Sequence, residues 1–301
     1  MLTWMRATLI VNAGSGRSGR TKADELFGML GARGIHLDGL WAVEDEAELR
    51  KRVERAVKLD AETVIVGGGD GSMTTAVDVL AKRGKVLGVL PLGTGNSFAR
   101  TIGLDDNLEG AIESIAARRV ECVDLGIVGG TYFANFATIG LSAEIAEGAS
   151  RPLKRAIGAA AYVIAGLLPF MRAKPFRTTI VADGETKRLV TQQMVIASGR
   201  YFGHQPIAPD ATAVDHRLAF FTTTGVSHAE IARTYLAMGL GVQDSLPDAI
   251  AFSAREIRVK TKPRQTISVD GNRLGKTPAT FRVVPRALNV IVGPRFDAAN
   301  P

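Results

Sequence analysis

Thr63-Val-Ile-Val-Gly-Gly-Gly-Asp-Gly-Ser72 is the stretch on which the fold turns. Its first residues are β-branched and apolar, as in a buried strand, and four glycines around one aspartate follow directly. Such punctuation marks the hand-over from a strand to a helix, here predicted over about Met73 to Lys82. The pattern recurs on both sides. Upstream, ATLIVN (7–12) reads as a strand that runs into Gly14-Ser15-Gly16-Arg17-Ser18-Gly19-Arg20-Thr21, with a helix from about Ser18 to Leu30. Downstream, KVLGVLPLGTGN (85–96) is an apolar strand ending in glycines, and Leu108 to Arg118 is helical. GIHLDGLWAV (34–43) supplies another strand, and Glu44 to Leu59 carries Ala47, Val53, Ala56 and Val57 at helical spacing. Strands alternating with helices imply crossover connections and a parallel sheet. The first part of the chain is thus an α/β domain.

From about Asp124 the rhythm changes. Five strand candidates, from DLGIVGGTYFANFATIGL to ATFRVVPRALNVIV, are separated by Gly, Pro and Asp turns, and the ADGE (182–185) and DGN (270–272) turns look like hairpins. Only two helices interrupt, Pro152 to Phe170 and one beginning at Ser227, where Ser227 and Glu230 have the spacing of a capping box. A second, mostly antiparallel β domain is expected. The division falls at residues 1–123, joined by the last strand at about 287–301, and residues 124–286.

The chain of 301 residues has 46% hydrophobic and 22% charged residues and a net charge of +7, the balance of a packed globular protein. With Cys122 as the single cysteine no intramolecular disulfide can form, so a reducing cytoplasm is the expected compartment. The N-terminus lacks the apolar core and cleavage site of a signal peptide. The longest apolar run, Ile157 to Phe170, is shorter than the ~20 residues that span a bilayer. The modest basic surplus admits an anionic partner, but no RNA-reading, zinc-finger or helix-turn-helix pattern points to nucleic acid.

All three glycine clusters would line the crevice at the carboxyl ends of a parallel sheet, where bare amides and helix N-termini suit phosphates. The first matches G-x-G-x-x-G and falls one residue short of a P-loop, with Arg20 in place of lysine. Either pattern alone is weak, and an ordinary strand-to-helix turn would explain it. In the second, Asp70 among Gly67, Gly68, Gly69, Gly71 and Ser72 either faces a Mg²⁺-nucleotide or merely caps the next helix. In the third, Pro91 to Arg100, Thr94, Gly95 and Asn96 offer groups to a nucleotide, against a loop that simply packs.

VNAGSGR, GGGDGS and LGVLPLGTGNSFAR, in this order and spacing, resemble lipid kinases related to diacylglycerol kinase and sphingosine kinase. NFATIGLSAEI, LKRAIGAAAYVIAGL, APDA and SVDGN resemble later segments of the same family, so the likeness runs over most of the chain. NAD kinases share the glycine-aspartate-glycine element but carry a different second motif. The resemblance implies an α/β nucleotide domain, a C-terminal β-sandwich domain, a cleft between them, and transfer of the γ-phosphoryl of ATP to a lipid hydroxyl. It assigns ATP binding to Asn12, Ser15, Gly16, the Gly67 to Ser72 loop and Thr94. It gives Asp70 the positioning of Mg²⁺-ATP or of the attacking hydroxyl, and it places Asp270 in an acidic catalytic pair.

Three positions depart from the family pattern. Asn272 stands where the family usually has the glutamate assigned as proton acceptor, and a neutral amide cannot serve as a general base. A structural Mg²⁺ implied at Asp215, Thr212 and Arg217 would meet His216 in place of the usual glycine. Trp41 stands where bacterial relatives often have a nucleotide-contacting threonine. Expected partners are a lipid substrate, a peripheral contact with the inner face of the membrane through the basic flanks of residues 151–177, and a second copy of the chain; the cofactors are ATP and Mg²⁺. Two rivals stand beside the kinase: a catalytically weak lipid- or nucleotide-binding relative, and a dinucleotide-dependent oxidoreductase built on residues 14–19. None of His36, His204, His216 and His228 is assigned a role.

Overall fold

The structure, a computed structural model, describes residues 5–13, 19–105, 107–140, 174–199, 201–202, 205–206, 212–225 and 246–296, with a few positions between 227 and 237. Ser15, Gly16 and the helix expected over Pro152 to Phe170 lie outside them.

The first part alternates as its periodicity predicts: β1 (Met5–Asn12), α1 (Gly19–Gly31), β2 (Ile35–Val43), α2 (Glu46–Val57), β3 (Thr63–Gly68), α3 (Asp70–Leu80), β4 (Val86–Pro91), α4 (Ser97–Thr101) and α5 (Leu108–Ala117). α2 starts where Asp45, in extended conformation, accepts the amide of Glu48 at 2.8 Å. Asn107 caps α5 through the amide of Gly110 at 2.7 Å. These are the side chains that best satisfy orphan amides at helix starts. α3 begins three residues before the predicted Met73, because Gly69 is extended and the helix opens on Asp70 itself.

β5 (Val120–Val128), β6 (Thr131–Phe133) and β7 (Phe136–Gly140) follow, then β8 (Phe176–Ala182), β9 (Glu185–Thr191), β10 (Gln193–Ala197), β11 (Tyr201–Phe202), β12 (Gln205–Pro206), β13 (Leu218–Thr223), β14 (Ala249–Ala254), β15 (Glu256–Lys262), β16 (Thr266–Val269), β17 (Asn272–Lys276) and β18 (Ala279–Ile291). Both expected hairpins form. Asp183 and Gly184 between β8 and β9, and Asp270 and Gly271 between β16 and β17, all have positive φ, as a two-residue type I′ turn requires. Ser227 and Glu230 make the reciprocal bonds of a capping box, at 2.9 and 3.3 Å.

The strands build two main sheets. One runs β2-β1-β3-β4-β18-β15-β8-β9, with β5 attached to β18 and β6 to β5; the other runs β14-β13-β10-β7-β16-β17. Neighbours among β2, β1, β3 and β4 are parallel, as crossover helices demand, whereas the later pairs are antiparallel. β18 joins the two regimes. Its end pairs parallel with β4 (Asn289 with Val86) and its start antiparallel with β15, while β5 pairs antiparallel with both its start and its end.

The cores follow from this layering. α2 and α3 bury Leu49, Val53, Met73 and Val77 on one face of the parallel strands, and α1 and α5 bury Leu26, Leu30, Ile112 and Ile115 on the other. A separate core between the two sheets holds Phe133, Phe176, Met194, Phe220, Ile257 and Phe281. Full burial of each large apolar side chain contributes about 1.5–3 kcal/mol. The result is an α/β unit beside an antiparallel sandwich. No helix among the described residues is long and apolar enough to cross a membrane.

Candidate active site

The site begins where β1, β3 and β4 end side by side, at Asn12, Gly68 and Pro91. The amide of Leu92 donates to the carbonyl of Gly68 at 3.0 Å, so the second and third glycine bends leave the sheet together. They touch backbone to backbone. A Cβ on Gly93 would stand 2.5 Å from the Gly69 Cα, and one on Gly69 would stand 3.2 Å from the Gly93 Cα. A Cβ on Gly68 would run into the Ser72 side chain. Glycine is needed here for closeness rather than for handedness, and the cradle it leaves is the kind that accepts a polyphosphate. On the other side of α3, a Cβ on Gly71 would stand 2.6 Å from Oε1 of Glu46, so the starts of α2 and α3 are pressed together.

The first bend joins through Asn12, whose Nδ2 donates to Oγ of buried Ser72 at 2.9 Å. Within the third bend Thr94 is exposed and Gly95 half-buried, both open to a ligand. Asn96 behaves differently from the nucleotide contact expected of it. It is buried, its backbone is left-handed (φ 50°), and its side chain both accepts from and donates to Gly93 at 3.1 Å. Asn96 therefore shapes the bend. Gly67 lies within β3 with its Cβ position facing Leu92 and Val11.

Asp70, the first residue of α3, is half-buried at a positive helix end. It does not cap its own helix. Its Oδ1 accepts the amide of Ser97, at the start of α4, at 2.7 Å, and its Oδ2 has no hydrogen bond among the described residues.

Asp270 reaches the same place from the other sheet. The left-handed hairpin (φ 45°) turns its carboxylate back over the start of β7, where Oδ1 accepts the amide of Phe136 at 2.9 Å. Its own amide donates to the Phe136 carbonyl at 2.9 Å, so the residue is fixed at both ends. Thr74 lies beside this carboxylate, but its hydroxyl donates to the carbonyl of Asp70 at 3.0 Å, and Oδ2 of Asp270 is buried with no hydrogen bond among the described residues. Burial pushes the Asp270 carboxyl up to about 6 against the pull of the Phe136 and Ala134 amides, and the negative charge of Asp70 pushes in the same direction. The sequence signals Thr74 only through its position one turn after Asp70, on the same helix face.

Asn272, two residues beyond Asp270, is exposed and lines a cleft of about 450 Å³ between α2, α3 and the β16–β17 hairpin, together with Thr74, Arg50, Asp78 and Arg273. Arg50 and Asp78 form an ion pair at 2.7 Å across this cleft, and Asp78 also accepts the amide of Tyr132 at 2.9 Å. Trp41 packs against the core of the α2–α3 face, with the guanidiniums of Arg52 and Arg55 each 5.6 Å from its ring.

The residues expected to hold a structural cation, Thr212, Asp215 and Arg217, are tied together by the Asp215 carboxylate. Oδ2 of Asp215 accepts the amide of Thr212 at 3.1 Å and Oδ1 the amide of Arg217 at 2.9 Å. Burial raises the Asp215 pKa, with the charge of Asp124 adding to the effect. Asp124, itself buried, is already met by the amides of His216 (2.7 Å) and Arg286 (2.9 Å) and by Nδ1 of His216 at 2.9 Å. His216 adopts φ 60°, the conformation for which glycine is usual. No cluster of three His, Cys, Asp or Glu side chains that could hold a metal occurs among the described residues. Neither Asp124 nor its bond to His216 was visible in the sequence.

Comparisons with known proteins agree with this geometry. Residues 6–128 match the diacylglycerol kinase catalytic domain, and residues 135–292 match the YegS C-terminal NAD kinase beta sandwich-like domain. Among curated proteins, the chain is 30% identical to a "Probable lipid kinase YegS-like" of Enterobacter sp. (strain 638), covering 98% of each. It is 28% identical to a "Diacylglycerol kinase" of Staphylococcus haemolyticus (strain JCSC1435), covering 94% of this chain and 87% of that one. Among solved structures, a diacylglycerol kinase from Bacillus anthracis str. Sterne superimposes with a TM-score of 0.79 at 23% identity, over 98% and 99% of the two chains, a likeness of fold. The paired glycine bends, the sandwich behind them and these matches place the chain in the diacylglycerol kinase and YegS-like family of lipid kinases.

Proposed function

We propose that the protein transfers the γ-phosphoryl group of ATP to the hydroxyl of a lipid. The observation that carries this reading is the meeting of Asp70 and Asp270, 200 positions apart in sequence, beside the touching bends at Gly69 and Gly93. Phosphoryl transfer needs positioning and charge neutralisation more than covalent work by the protein. The amides of the Gly67 to Ser72 and Pro91 to Asn96 bends would hold the phosphates, with Asn12 fixing Ser72. The same role is proposed for Ser15 and Gly16 on the strength of the family pattern.

Asp70 fits a divalent ion through Oδ2, its oxygen without a hydrogen bond among the described residues. Mg²⁺ held there with the nucleotide would offset negative charge on the phosphates. Asp270 takes over the proton-accepting role that Asn272 cannot fill. Its Oδ2 is buried and without a hydrogen bond among the described residues, and ionisation near pH 6 suits a base working at neutral pH. As the acceptor oxygen bonds to the γ-phosphorus and the bond to the β–γ bridging oxygen breaks, the hydroxyl proton passes to Asp270.

The test is incubation of the purified protein with labelled ATP and a panel of diacylglycerol, monoacylglycerol, sphingoid base, ceramide and phosphatidylglycerol. Label in one lipid, lost in Asp70→Asn and Asp270→Asn, is expected. A second reading, a binding relative with little turnover, is favoured by one feature, Asn272 in the cleft. It predicts ATP binding with no labelled lipid from any member of the panel.

A further inference from the structure

The outer face of the sheet formed by β9, β8, β15 and the start of β18 has a charge pattern that the kinase chemistry does not use. Along β15 the odd positions Ile257, Val259 and Thr261 are buried, and Arg258, Lys260 and Lys262 point outward and are exposed. Cross-strand partners share a face. Lys262 pairs with Arg177, Lys260 with Thr179, and Thr179 in turn with Arg188, so both arginines join the lysines on this side. Glu256 pairs with Arg282. The face therefore gathers six basic side chains and one carboxylate, a surplus of five positive charges in a chain whose net charge is +7.

That carboxylate is already spent. Glu256 accepts from Nε of Arg258 at 2.6 Å and from Nε of Arg282 at 2.5 Å. Arg177, Arg188, Lys260 and Lys262 have no ion-pair partner among the described residues. Between them stand Thr179, Thr186, Val181 and the exposed Val190, and no aromatic ring. Strands hydrogen-bonded side by side make this a continuous surface about four strands wide, spaced at roughly 5 Å each.

We propose that this sheet face docks on an anionic bilayer surface. Charge complementarity selects a polyanion, and a broad face without stacking rings suits head groups better than single-stranded nucleic acid, which such proteins grip with aromatics. The choice of a bilayer rests on the lipid-kinase reading, since a water-insoluble acceptor has to be met at its membrane. Residues 151–177, expected from the sequence to make the membrane contact, lie outside the described residues except for the part from 174 onward; Arg177 belongs to both.

The test is sedimentation of the full chain with vesicles of mixed phosphatidylglycerol and phosphatidylcholine, against vesicles of phosphatidylcholine alone. Binding to the anionic vesicles only, weakened by salt, is expected. The variant Arg188→Gln/Lys260→Gln/Lys262→Gln should bind them about a hundredfold less tightly, at roughly fivefold per charge near the surface. Its melting temperature and its phosphorylation of lipid dispersed in detergent should be unchanged. Lys51→Gln/Lys58→Gln/Arg83→Gln, with charges removed from α2 and the turn after α3, should bind as the wild type does. Equal binding of the two triple variants, or capture of an RNA or DNA duplex with no vesicle binding, overturns the proposal. Vesicle binding without any lipid phosphorylation would instead sink the kinase reading and leave the docking face standing.

Discussion

The Asp70 carboxylate receives the backbone amide of Ser97 at 2.7 Å, so the residue at the start of α3 secures the start of α4. One oxygen does structural work, and the other is left for a cation or a substrate. Asp70→Asn separates these roles, because the amide oxygen can still accept from Ser97 while the charge is gone. We expect transfer of labelled phosphate to fall by roughly a hundredfold or more, the scale of losing one electrostatic group in a reaction centre. The melting temperature should stay close to that of the wild type, whereas Asp70→Ala should lower both. An Asp70→Asn variant with full activity would remove the charge from the mechanism.

Asp270 makes stability and activity respond to pH in opposite senses. Its folded pKa, about 6, lies above the ordinary carboxylate value of 3.8, so the native state holds a proton that the unfolded chain has released. Stability contributed by this group is therefore present at low pH and is lost as pH rises from about 4 to about 6, by on the order of 2–3 kcal/mol. Asp270→Asn should flatten that part of the curve in chemical denaturation. Activity should instead rise through pH 6 as the carboxylate forms. A wild-type profile with no inflection near pH 6 would count against Asp270 as the base.

Gly93→Ala tests the contact between the bends. The added methyl would stand 2.5 Å from the Gly69 Cα, and backbone has to move to admit it. Overpacking of this kind costs about 1–3 kcal/mol. Calorimetry should show that loss of stability together with weaker nucleotide binding, while Gly84→Ala, remote from the bends, should leave nucleotide binding alone.

His216→Gly sets two effects against each other. Glycine relieves the left-handed backbone, worth about 1 kcal/mol, but deletes a ring bond to a buried carboxylate, worth about 1.5–3 kcal/mol. A net destabilisation of about 1 kcal/mol is expected in urea unfolding. A more stable variant would show that the ring contributes less than its strain.

The glycine bends and the two Asp-Gly hairpins could be read directly, because closeness and positive φ each demand a residue type that stands out in a string. Asp270 was reached only through family resemblance. Nothing local in SVDGN shows that its carboxylate turns back on Phe136 or that Asp70 lies nearby; that depends on how two sheets meet. Asp124 is hidden for a similar reason, since a single acid in a strand gives no sign that Arg286 and His216 will converge on it. The basic sheet face was invisible because its charges sit on β8, β9 and β15, about 80 residues apart, and only the register brings Arg177 beside Lys262. The bond of Asn96 to its own loop has no sign in residue type alone. An amide that suits a nucleotide also suits its own loop.

β18 has an implication for how the chain is made. The edge of β4 is closed by Asn289 and Val290, which leave the ribosome some 200 residues after β4 itself. Until then the nascent half exposes unpaired amides and carbonyls along a flat apolar ribbon, the feature that invites strands to stack between molecules. A fragment cut after residue 128 would keep that open flank permanently, so its insolubility would speak of a missing neighbour and not of a poor sequence.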